Sequence, residues 1–303
     1  MACGVLALKR RKVDRLAAAR AFYAAIVAAG GGLLRDRLEH AFEFVPRELF
    51  LGPGPWYAAL PGGTHVRTPT DDRIHVYQDL LFALDRDKRI NNGEPTLHGQ
   101  LLGALHPERG ETALHIGCGT GYYSAILALL VGPTGKVIGN EIEPALAARA
   151  AENLRPWENV EVCSASGTRG ELPSCDVIYV NAGATHPDKS WLDALNDGGR
   201  LVFPLTGAGD DRFGVSLLVT RRGAAFAARV VGTCGFIPCA GAVDPDEGLR
   251  VTAAVKSEAL WQAQSLQRDD APDGSAVLIG KGWWLSSAPL PADDRAGRPT
   301  GLD

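Results

Sequence analysis

The sequence lacks the features that mark membrane, metal-binding and disulfide-rich proteins. No eighteen consecutive apolar residues occur among its 303 residues, so no transmembrane helix is predicted. No two of its six cysteines have CxxC spacing, so neither a metal site such as a zinc site nor a redox-active cysteine pair is predicted. The first residues, MACGVLALKRRK, place their charges after a very short apolar run, and no signal peptide is expected. Together these absences predict a cytoplasmic protein with reduced thiols.

The sequence also lacks a large excess of either positive or negative charge. The net charge is −4, which argues against nucleic acid or an anionic membrane as a partner. One basic cluster, KRRKVDR at residues 9–15, is typical of a helix start, with a patch for an acidic partner as the alternative. Hydrophobic residues make up 46% of the chain, enough for a sizeable core in one large domain or a domain with additions.

Strands and helices alternate in the middle of the chain. Five short apolar segments have the composition of strands: TALHI, KVIGNEI, NVEVCS, DVIYVNA and GRLVFPL. Helical segments, GTGYYSAILALL and PALAARAAENL, separate the first three, and VSLLVTRR and AAFAARVVG can pair as a hairpin. This alternation predicts an α/β fold with a parallel sheet covered on both faces.

Before this region, helices are predicted over residues 14–29 and 33–45 and from Pro95 onward, with a Gly/Pro-rich loop at 52–70. After it, the chain is rich in loops, with one helix-like run at 251–264 and a disordered tail, PADDRAGRPTGLD. Three segments are expected: an N-terminal helical and acceptor-side segment (1–106), a cofactor-binding core (107–243) and a C-terminal extension (244–303).

A glycine-patterned loop, GCGTG, follows the TALHI strand and opens a helix. Gly117, Gly119 and Gly121 let the backbone turn tightly and approach a ligand. Glu141 comes twenty residues after Gly121, at the end of the next strand, where a carboxylate can accept hydrogen bonds from both hydroxyls of a ribose. The pattern predicts a cofactor that contains a nucleoside.

The spacing of these glycines distinguishes between cofactors. A dinucleotide site has the pattern G-x-G-x-x-G, whereas here Tyr122 stands at the third glycine position. A tyrosine there would block the approach of a pyrophosphate, which argues against a nicotinamide-dependent dehydrogenase. The G-x-G-x-G spacing suits S-adenosylmethionine, which carries no phosphate.

Several motifs, in order, resemble the protein-L-isoaspartate O-methyltransferases. They are HAFEFVPRELFLGP, VYQDLLFAL, LHIGCGTGYYSAILALLVGPTGKVIGNEIEPALAARAAENL, LNDGGRLVFPL and GFIPCAGA, and they cover residues 33–243. The resemblance implies a Rossmann-like class I methyltransferase fold with a mostly parallel, seven-stranded sheet. It also implies an S-adenosylmethionine-dependent O-methyltransferase with a carboxylate acceptor on a protein, a peptide or a small molecule.

The resemblance further assigns residues to the cofactor. The loop would surround its methionine part, Glu141 would hold the ribose, and Ser166 and Gly167 fall where the family has an Asp-Gly that contacts adenine. Asn181 begins the segment at the strand end where the family builds its substrate pocket. The predicted cofactor-binding residues are Gly117, Cys118, Gly119, Thr120, Gly121, Tyr122, Glu141, Ile142, Ser166, Gly167 and Asn181.

The segment RINNGEP departs from the family pattern. The family has Ile-Ser-x-Pro here, with its serine at the acceptor site, whereas Gly93 and Glu94 stand in place of Ser-x and no serine lies between Arg73 and Pro95. The departure indicates a changed acceptor. Candidate acceptor-side catalytic residues are Asn91, Asn92, Glu94 and His98, with Glu94 or His98 as a general base if the acceptor carries a proton. An ordinary Asn-Gly turn and a packed or capping histidine are the alternatives.

Other interpretations remain open at this point. A chain that binds the cofactor without turnover would explain both departures, at the serine and at the adenine aspartate. A tRNA methyltransferase shares the cofactor loop but is disfavoured by the acidic net charge. Trp261, Trp283 and Trp284 in the extension pack it onto the core or shape a lid over the acceptor.

Overall fold

The computed structural model describes residues 14–60, 63–207 and 213–291. Eight α-helices lie in these ranges: α1 (Arg15–Val27), α2 (Arg35–Phe44), α3 (Glu48–Leu51), α4 (Pro95–Leu105), α5 (Tyr122–Val131), α6 (Pro144–Asn153), α7 (Lys189–Ala194) and α8 (Pro245–Lys256). Fourteen strands lie there too: β1 (Tyr57–Ala59), β2 (His65–Arg67), β3 (Leu81–Asp85), β4 (Ile90–Asn91), β5 (Thr112–Ile116), β6 (Lys136–Glu141), β7 (Val160–Ser164), β8 (Cys175–Val180), β9 (Leu195–Thr206), β10 (Phe213–Arg222), β11 (Ala225–Gly235), β12 (Ser265–Gln267), β13 (Ala276–Ile279) and β14 (Trp284–Ser286). The predicted basic cluster and disordered tail lie outside these ranges apart from Asp14, Arg15 and Pro291.

The N-terminal helices form where their start and stop signals lie. Asp14 caps α1 by accepting hydrogen bonds from the backbone N–H groups of Leu16 and Ala17, and glycines follow its end. Pro95 occupies the first turn of α4, where its missing N–H costs nothing. A Cβ on Gly99 would lie 2.0 Å from the carbonyl oxygen of Val27, so a glycine is needed for α4 to pack this closely against the end of α1.

Ten strands form the main sheet, in the order β13-β14-β12-β11-β10-β9-β8-β5-β6-β7. The five strands from β9 to β7 are parallel, and β10 and β11 follow as the predicted antiparallel hairpin. These seven strands match the predicted number, and the extension adds β12, β14 and β13 to the same sheet. Because parallel strands end at the same edge, the loops after β5, β6 and β8 lie side by side there.

Both faces of the parallel strands are buried. Alternate residues of β5 and β8, among them Ala113 and Val177, belong to one hydrophobic cluster with the N-terminal helices and α5. Their neighbours, among them Leu114 and Ile178, belong to a second cluster with α7 and α8. This two-sided burial explains why the strands are almost continuously apolar.

A second sheet contradicts the prediction of a plain loop at 52–70. Its order is β2-β1-β3-β4, and β1 and β2 lie inside the predicted loop. Strands of three residues are too short for an alternating hydrophobic pattern to show in the sequence. The β3–β4 hairpin brings the Asn-Asn-Gly segment to the edge of the main sheet.

The extension packs on the core. Trp283 and Trp284 are buried, whereas Trp261 is half exposed. The buried Glu247 accepts hydrogen bonds from the backbone N–H of Lys281 and from the indole of Trp283, which ties α8 to the β13–β14 turn. The predicted helical run begins earlier than expected, with α8, and a 3₁₀-helix follows at Ala259–Gln262. No described helix is both long and apolar enough to cross a membrane.

Candidate active site

The loop after β5 has the backbone conformation of a ligand cradle. Gly117, Gly119 and Gly121 have φ angles of +73°, +59° and +95°, a region that residues with a Cβ rarely adopt. A Cβ on Gly121 would also lie 2.6 Å from Cδ1 of Leu154, so this position excludes a side chain on packing grounds too. The three glycines therefore allow a turn that larger residues would not.

Glu141 lies directly beside this loop. Its carboxylate accepts one hydrogen bond from the backbone N–H of Gly119 (2.7 Å) and one from that of Glu143 (2.9 Å). Burial raises the pKa of Glu141, while these N–H groups act in the opposite direction. Each oxygen keeps lone pairs for further donors, so the carboxylate is held in place and can still bind a pair of hydroxyls.

The other loop side chains are packed. Cys118 and Thr120 are buried, and the carbonyl of Thr120 accepts a hydrogen bond from the amide of Asn153. The Tyr122 hydroxyl pairs with that of Tyr23 in α1, so this tyrosine joins the loop to the N-terminal helices. Burial raises the pKa of the Cys118 thiol, which keeps it protonated.

Ile142, Ser166 and Gly167 continue along the same sheet edge, past the ends of β6 and β7. Ile142 is half exposed, and the Ser166 hydroxyl is engaged with Thr168, from whose backbone it accepts a hydrogen bond (3.2 Å). The Gly167 carbonyl accepts a hydrogen bond from the indole of Trp191. These three residues lie outside the walls of the cavity described next, and their contact with adenine stays a prediction.

A cavity of about 440 Å³ opens next to the glycine loop. Its walls come from the β3–β4 hairpin and α4, from the glycine loop and from Asn181 after β8. The start of β10 and the end of β11, with the residues that follow it, complete the walls. It therefore joins the loop predicted to bind the cofactor with the segment predicted to bind the acceptor.

The two asparagines have different surroundings. Asn91 accepts a hydrogen bond from the backbone N–H of Gly93 through its side chain (2.9 Å), which is the contact of an ordinary turn, the alternative to a catalytic role. Asn92 is buried, and its Oδ1 accepts a hydrogen bond from the backbone N–H of Phe82 (2.7 Å). Among the described residues, the buried Nδ2 atom of Asn92 has no hydrogen-bond partner. Asn92 is thus fixed through one end of its amide and free to donate through the other.

Glu94 lies at the exposed rim, just before α4. Partial burial and the nearby carboxylate of Asp79 raise its pKa. Asp79 is itself exposed and accepts a hydrogen bond from the backbone N–H of Thr96. The rim is therefore acidic.

His98 is buried in the cavity wall. Its ring stacks on that of Tyr123, with centroids 3.6 Å apart and planes at 6°, and its Nδ1 pairs with the hydroxyl of Tyr179. Nε2 of His98 is buried and has no hydrogen-bond partner in the part of the chain that the structure describes. Burial lowers the pKa of His98 well below its usual value, with His115 and Arg47 acting in the same direction. The ring is therefore neutral at physiological pH.

Asn181 completes the wall at the end of β8. Its Nδ2 donates to Nε2 of His115 (2.7 Å), and Nδ1 of His115 pairs with the hydroxyl of Ser124 (2.8 Å). The Oδ1 atom of Asn181 is buried, and no described residue forms a hydrogen bond with it. This chain of contacts orients the Asn181 amide so that an acceptor atom is free.

Comparison with known proteins identifies the family. Residues 64–244 match the family model described as Protein-L-isoaspartate(D-aspartate) O-methyltransferase (PCMT), which is more than half of the chain. The chain belongs to the PCMT family. Among curated relatives, the protein-L-isoaspartate O-methyltransferase of Ignicoccus hospitalis is 32% identical over 181 residues, covering 58% of this chain and 77% of the relative. The protein-L-isoaspartate O-methyltransferase of Methanopyrus kandleri is 33% identical over 190 residues, which cover 61% of this chain and 82% of the relative.

Solved structures agree in fold. A protein-L-isoaspartate O-methyltransferase matches with a TM-score of 0.61 and 23% identity, over 78% of this chain and 69% of the other. A Plasmodium falciparum PCMT in complex with S-adenosyl-L-homocysteine matches with a TM-score of 0.56 and 16% identity, over 73% and 97%. The predicted class I methyltransferase fold is confirmed, and as a PCMT-like methyltransferase the chain uses S-adenosylmethionine.

The residues of this PCMT family member fit that cofactor. The three glycines of the loop add no side chains that would obstruct the cofactor, and the Glu141 carboxylate suits ribose hydroxyls. Oδ1 of Asn181 can accept a hydrogen bond from the ammonium group of the methionine part. When bound, the cofactor supplies a methyl group on a positively charged sulfur.

Sequence reasoning missed several residues of the site. His115, Tyr123 and Tyr179 hold Asn181 and His98 in place, and Phe236 lines the same cavity. The available signal was a polar or aromatic residue inside an apolar segment, as in TALHI and DVIYV. Since such residues also occur in ordinary cores, the signal alone did not indicate a site.

Proposed function

We propose that this chain transfers the methyl group of S-adenosylmethionine to a carboxylate of a protein or peptide acceptor bound in this cavity. One observation carries the proposal. Six buried side-chain polar atoms have no partner within the described residues, and four of them belong to residues that line this cavity: Asn92, Thr96, His98 and Asn181. Because buried polar atoms are normally paired, such a concentration indicates a ligand that pairs with them.

The buried charge of Arg47 favours an anionic acceptor, whereas the rim carboxylates of Glu94 and Asp79 oppose one. Arg47 is fully buried, and its guanidinium donates to the backbone carbonyls of Val76, Gln78 and Leu80, each at 2.7 Å. Its charge is thus buried against neutral partners, and it lowers the pKa of the nearby His98. A positive charge at this depth favours a negative group in the cavity.

The reaction requires little acid–base chemistry from the protein. As the carbon–oxygen bond forms, the carbon–sulfur bond breaks, its electron pair stays on sulfur, and the products are a methyl ester and S-adenosylhomocysteine. A carboxylate is already ionised at neutral pH, so no general base is needed. The side chains of the cavity would hold the carboxylate in line with the methyl group and exclude water.

We propose a division of the chain that follows the cavity. Residues 1–106 form the acceptor side, residues 107–243 bind the cofactor, and residues 244–303 form an extension that supports the core. The described walls of the cavity come from the first two segments. We also propose a reducing, cytoplasmic location, which is supported by five described cysteines that are all unpaired.

A transfer assay tests the proposal. Methyl-labelled S-adenosylmethionine would be incubated with the full chain and either an isoaspartyl peptide or the matching aspartyl peptide, with calorimetry of cofactor binding alongside. We expect base-labile label on at least one peptide, and label on the isoaspartyl peptide alone would identify a repair activity. Cofactor binding with no label on either peptide would move the search to other peptides and to small carboxylates. Absence of cofactor binding would contradict the proposal.

A further inference from the structure

The imidazole of His98 occupies the space of a side chain that position 93 lacks. A Cβ on Gly93 would lie 2.0 Å from Nε2 of His98 and 2.7 Å from its Cδ2. Gly93 also has a φ angle of +77°, which favours glycine. Position 93 is where the family resemblance places a serine. Residue 93 and His98 therefore compete for one volume in the cavity wall.

Three aromatic neighbours fix the ring in that volume. It stacks on Tyr123, and it meets Tyr179 and Phe236 edge to face, with centroids 5.9 and 6.0 Å away. Only 1% of His98 is exposed. Its Nε2 atom is therefore held at one place in the wall.

The hydroxyl of Tyr179 determines which ring nitrogen carries the hydrogen. Among the described residues its one hydrogen-bond partner is Nδ1 of His98. If the hydroxyl donates to Nδ1, the neutral ring carries its hydrogen on Nε2, and one buried donor awaits a partner. In the opposite tautomer, both the hydroxyl hydrogen and the Nε2 lone pair would be buried unpaired. Because each unpaired buried group is costly, the Nε2–H tautomer is favoured.

We propose that His98 binds the acceptor carboxylate through Nε2–H, as a replacement for a hydroxyl side chain at position 93, and that residues 93 and 98 are an exchangeable pair. This inference rests on the proposed function and names a residue that recognises its substrate. His98 then acts as a hydrogen-bond donor and not as a base, which agrees with a carboxylate acceptor that has no proton to lose.

Exchange of the pair tests the inference. We expect His98→Ala to raise the KM for the accepted peptide at least about tenfold, with the cofactor Kd changed by less than about threefold. Gly93→Ser alone should also raise this KM, because the Cβ of the new serine would collide with the His98 ring. The double variant Gly93→Ser/His98→Ala should recover much of the lost affinity, whereas Gly93→Ala/His98→Ala should not. A merely structural role for His98 would not produce this difference between serine and alanine.

A second readout does not need turnover. Nitrogen-15 NMR of the His98 ring in the full chain should show the hydrogen on Nε2 and a shift when the isoaspartyl peptide is added, and Tyr179→Phe should shift the Nδ1 signal, because that atom loses its hydrogen-bond donor. A ring that responds to the peptide in a chain that binds no S-adenosylmethionine would support the inference and contradict the proposed function. A hydrogen on Nδ1 in the unmodified chain, no response to the peptide, or an unchanged KM in His98→Ala would overturn the inference.

Discussion

The backbone N–H of Gly119 donates a hydrogen bond to the carboxylate of Glu141 at 2.7 Å, across the ends of two neighbouring strands. The glycine loop and the acid that were predicted to bind one cofactor are therefore joined directly to each other. Such preorganisation lowers the entropy that binding must overcome, because neither group has to be immobilised by the cofactor.

Replacement of Glu141 should therefore weaken the binding of the cofactor and not the binding of the acceptor. In Glu141→Gln, the carboxamide cannot accept as well from Gly119, Glu143 and two ribose hydroxyls together. We expect the Kd for S-adenosylmethionine in calorimetry to rise at least about tenfold. Glu161→Gln is a matched control, since Glu161 lies on the neighbouring strand β7 and pairs with Lys136 at the surface. Equal effects in the two variants would contradict a cofactor role for Glu141.

A methyl group added to the glycine loop should separate cofactor binding from stability. Gly119→Ala strains a backbone with φ at +59°, and the new Cβ would point toward Leu84, 3.7 Å away in the cavity wall. Gly223→Ala is the control, because Gly223 has nearly the same φ, +60°, in an exposed hairpin turn with open space around it. Both should lose about 1–2 kcal/mol of unfolding free energy. Loss of cofactor affinity is expected in Gly119→Ala alone, and its absence would show that the cofactor lies elsewhere.

The geometry of the glycine loop and the position of Glu141 beside it could be predicted because their signals are local. Gly117, Gly119 and Gly121 fall within five residues, and the rule that parallel strands end at one edge places Glu141 beside them. The core strands could be predicted for a similar reason, since each is long and apolar enough to be recognised by composition.

The acceptor side could not be predicted to the same extent. The surroundings of His98 come from α5, β8 and the segment after β11, which are far apart in the sequence. Its competition with Gly93 depends on backbone geometry that no spacing rule gives. The small sheet and the strands of the extension were missed because most of these strands have only two to four residues.

Acid should destabilise this fold through its buried histidines. Burial lowers the pKa of His115 from 6.5 to about 3. Between these pH values the unfolded chain binds a proton on His115 and the folded chain does not. The free energy of unfolding should therefore fall as the pH drops below about 6.5, by about 1.4 kcal/mol per pH unit for this group. Urea titrations from pH 7 to 4 would measure the slope. His115→Gln should give a shallower slope whatever its absolute stability, and an unchanged slope would contradict the assignment.

The packing of the C-terminal extension, and with it the stability of the fold, should depend on Glu247. This buried carboxylate binds the indole of Trp283, the backbone N–H of Lys281 and Nδ1 of His186, and thereby connects α8 to the loop after β8. Glu247→Ala leaves these donors unpaired, and we expect a loss of about 2–4 kcal/mol in thermal or urea unfolding. Asp246→Ala, one residue earlier on the exposed side of the helix, should cost less than about 1 kcal/mol. Similar losses in both variants would argue that the network adds little.

A change of one atom in Asn92 should test the charge of the acceptor. In Asn92→Asp, an oxygen can still accept from the backbone N–H of Phe82, while the unpartnered Nδ2 donor becomes a carboxylate oxygen. A negative acceptor would then meet a negative charge in place of a donor. We expect its KM to rise about tenfold or more, with a smaller change in the Kd for the cofactor. Asn91→Asp is the comparison, because its side chain already accepts from Gly93 and a carboxylate does so equally well. A KM that rises no more in Asn92→Asp than in Asn91→Asp would mean that the acceptor carboxylate does not lie against Asn92.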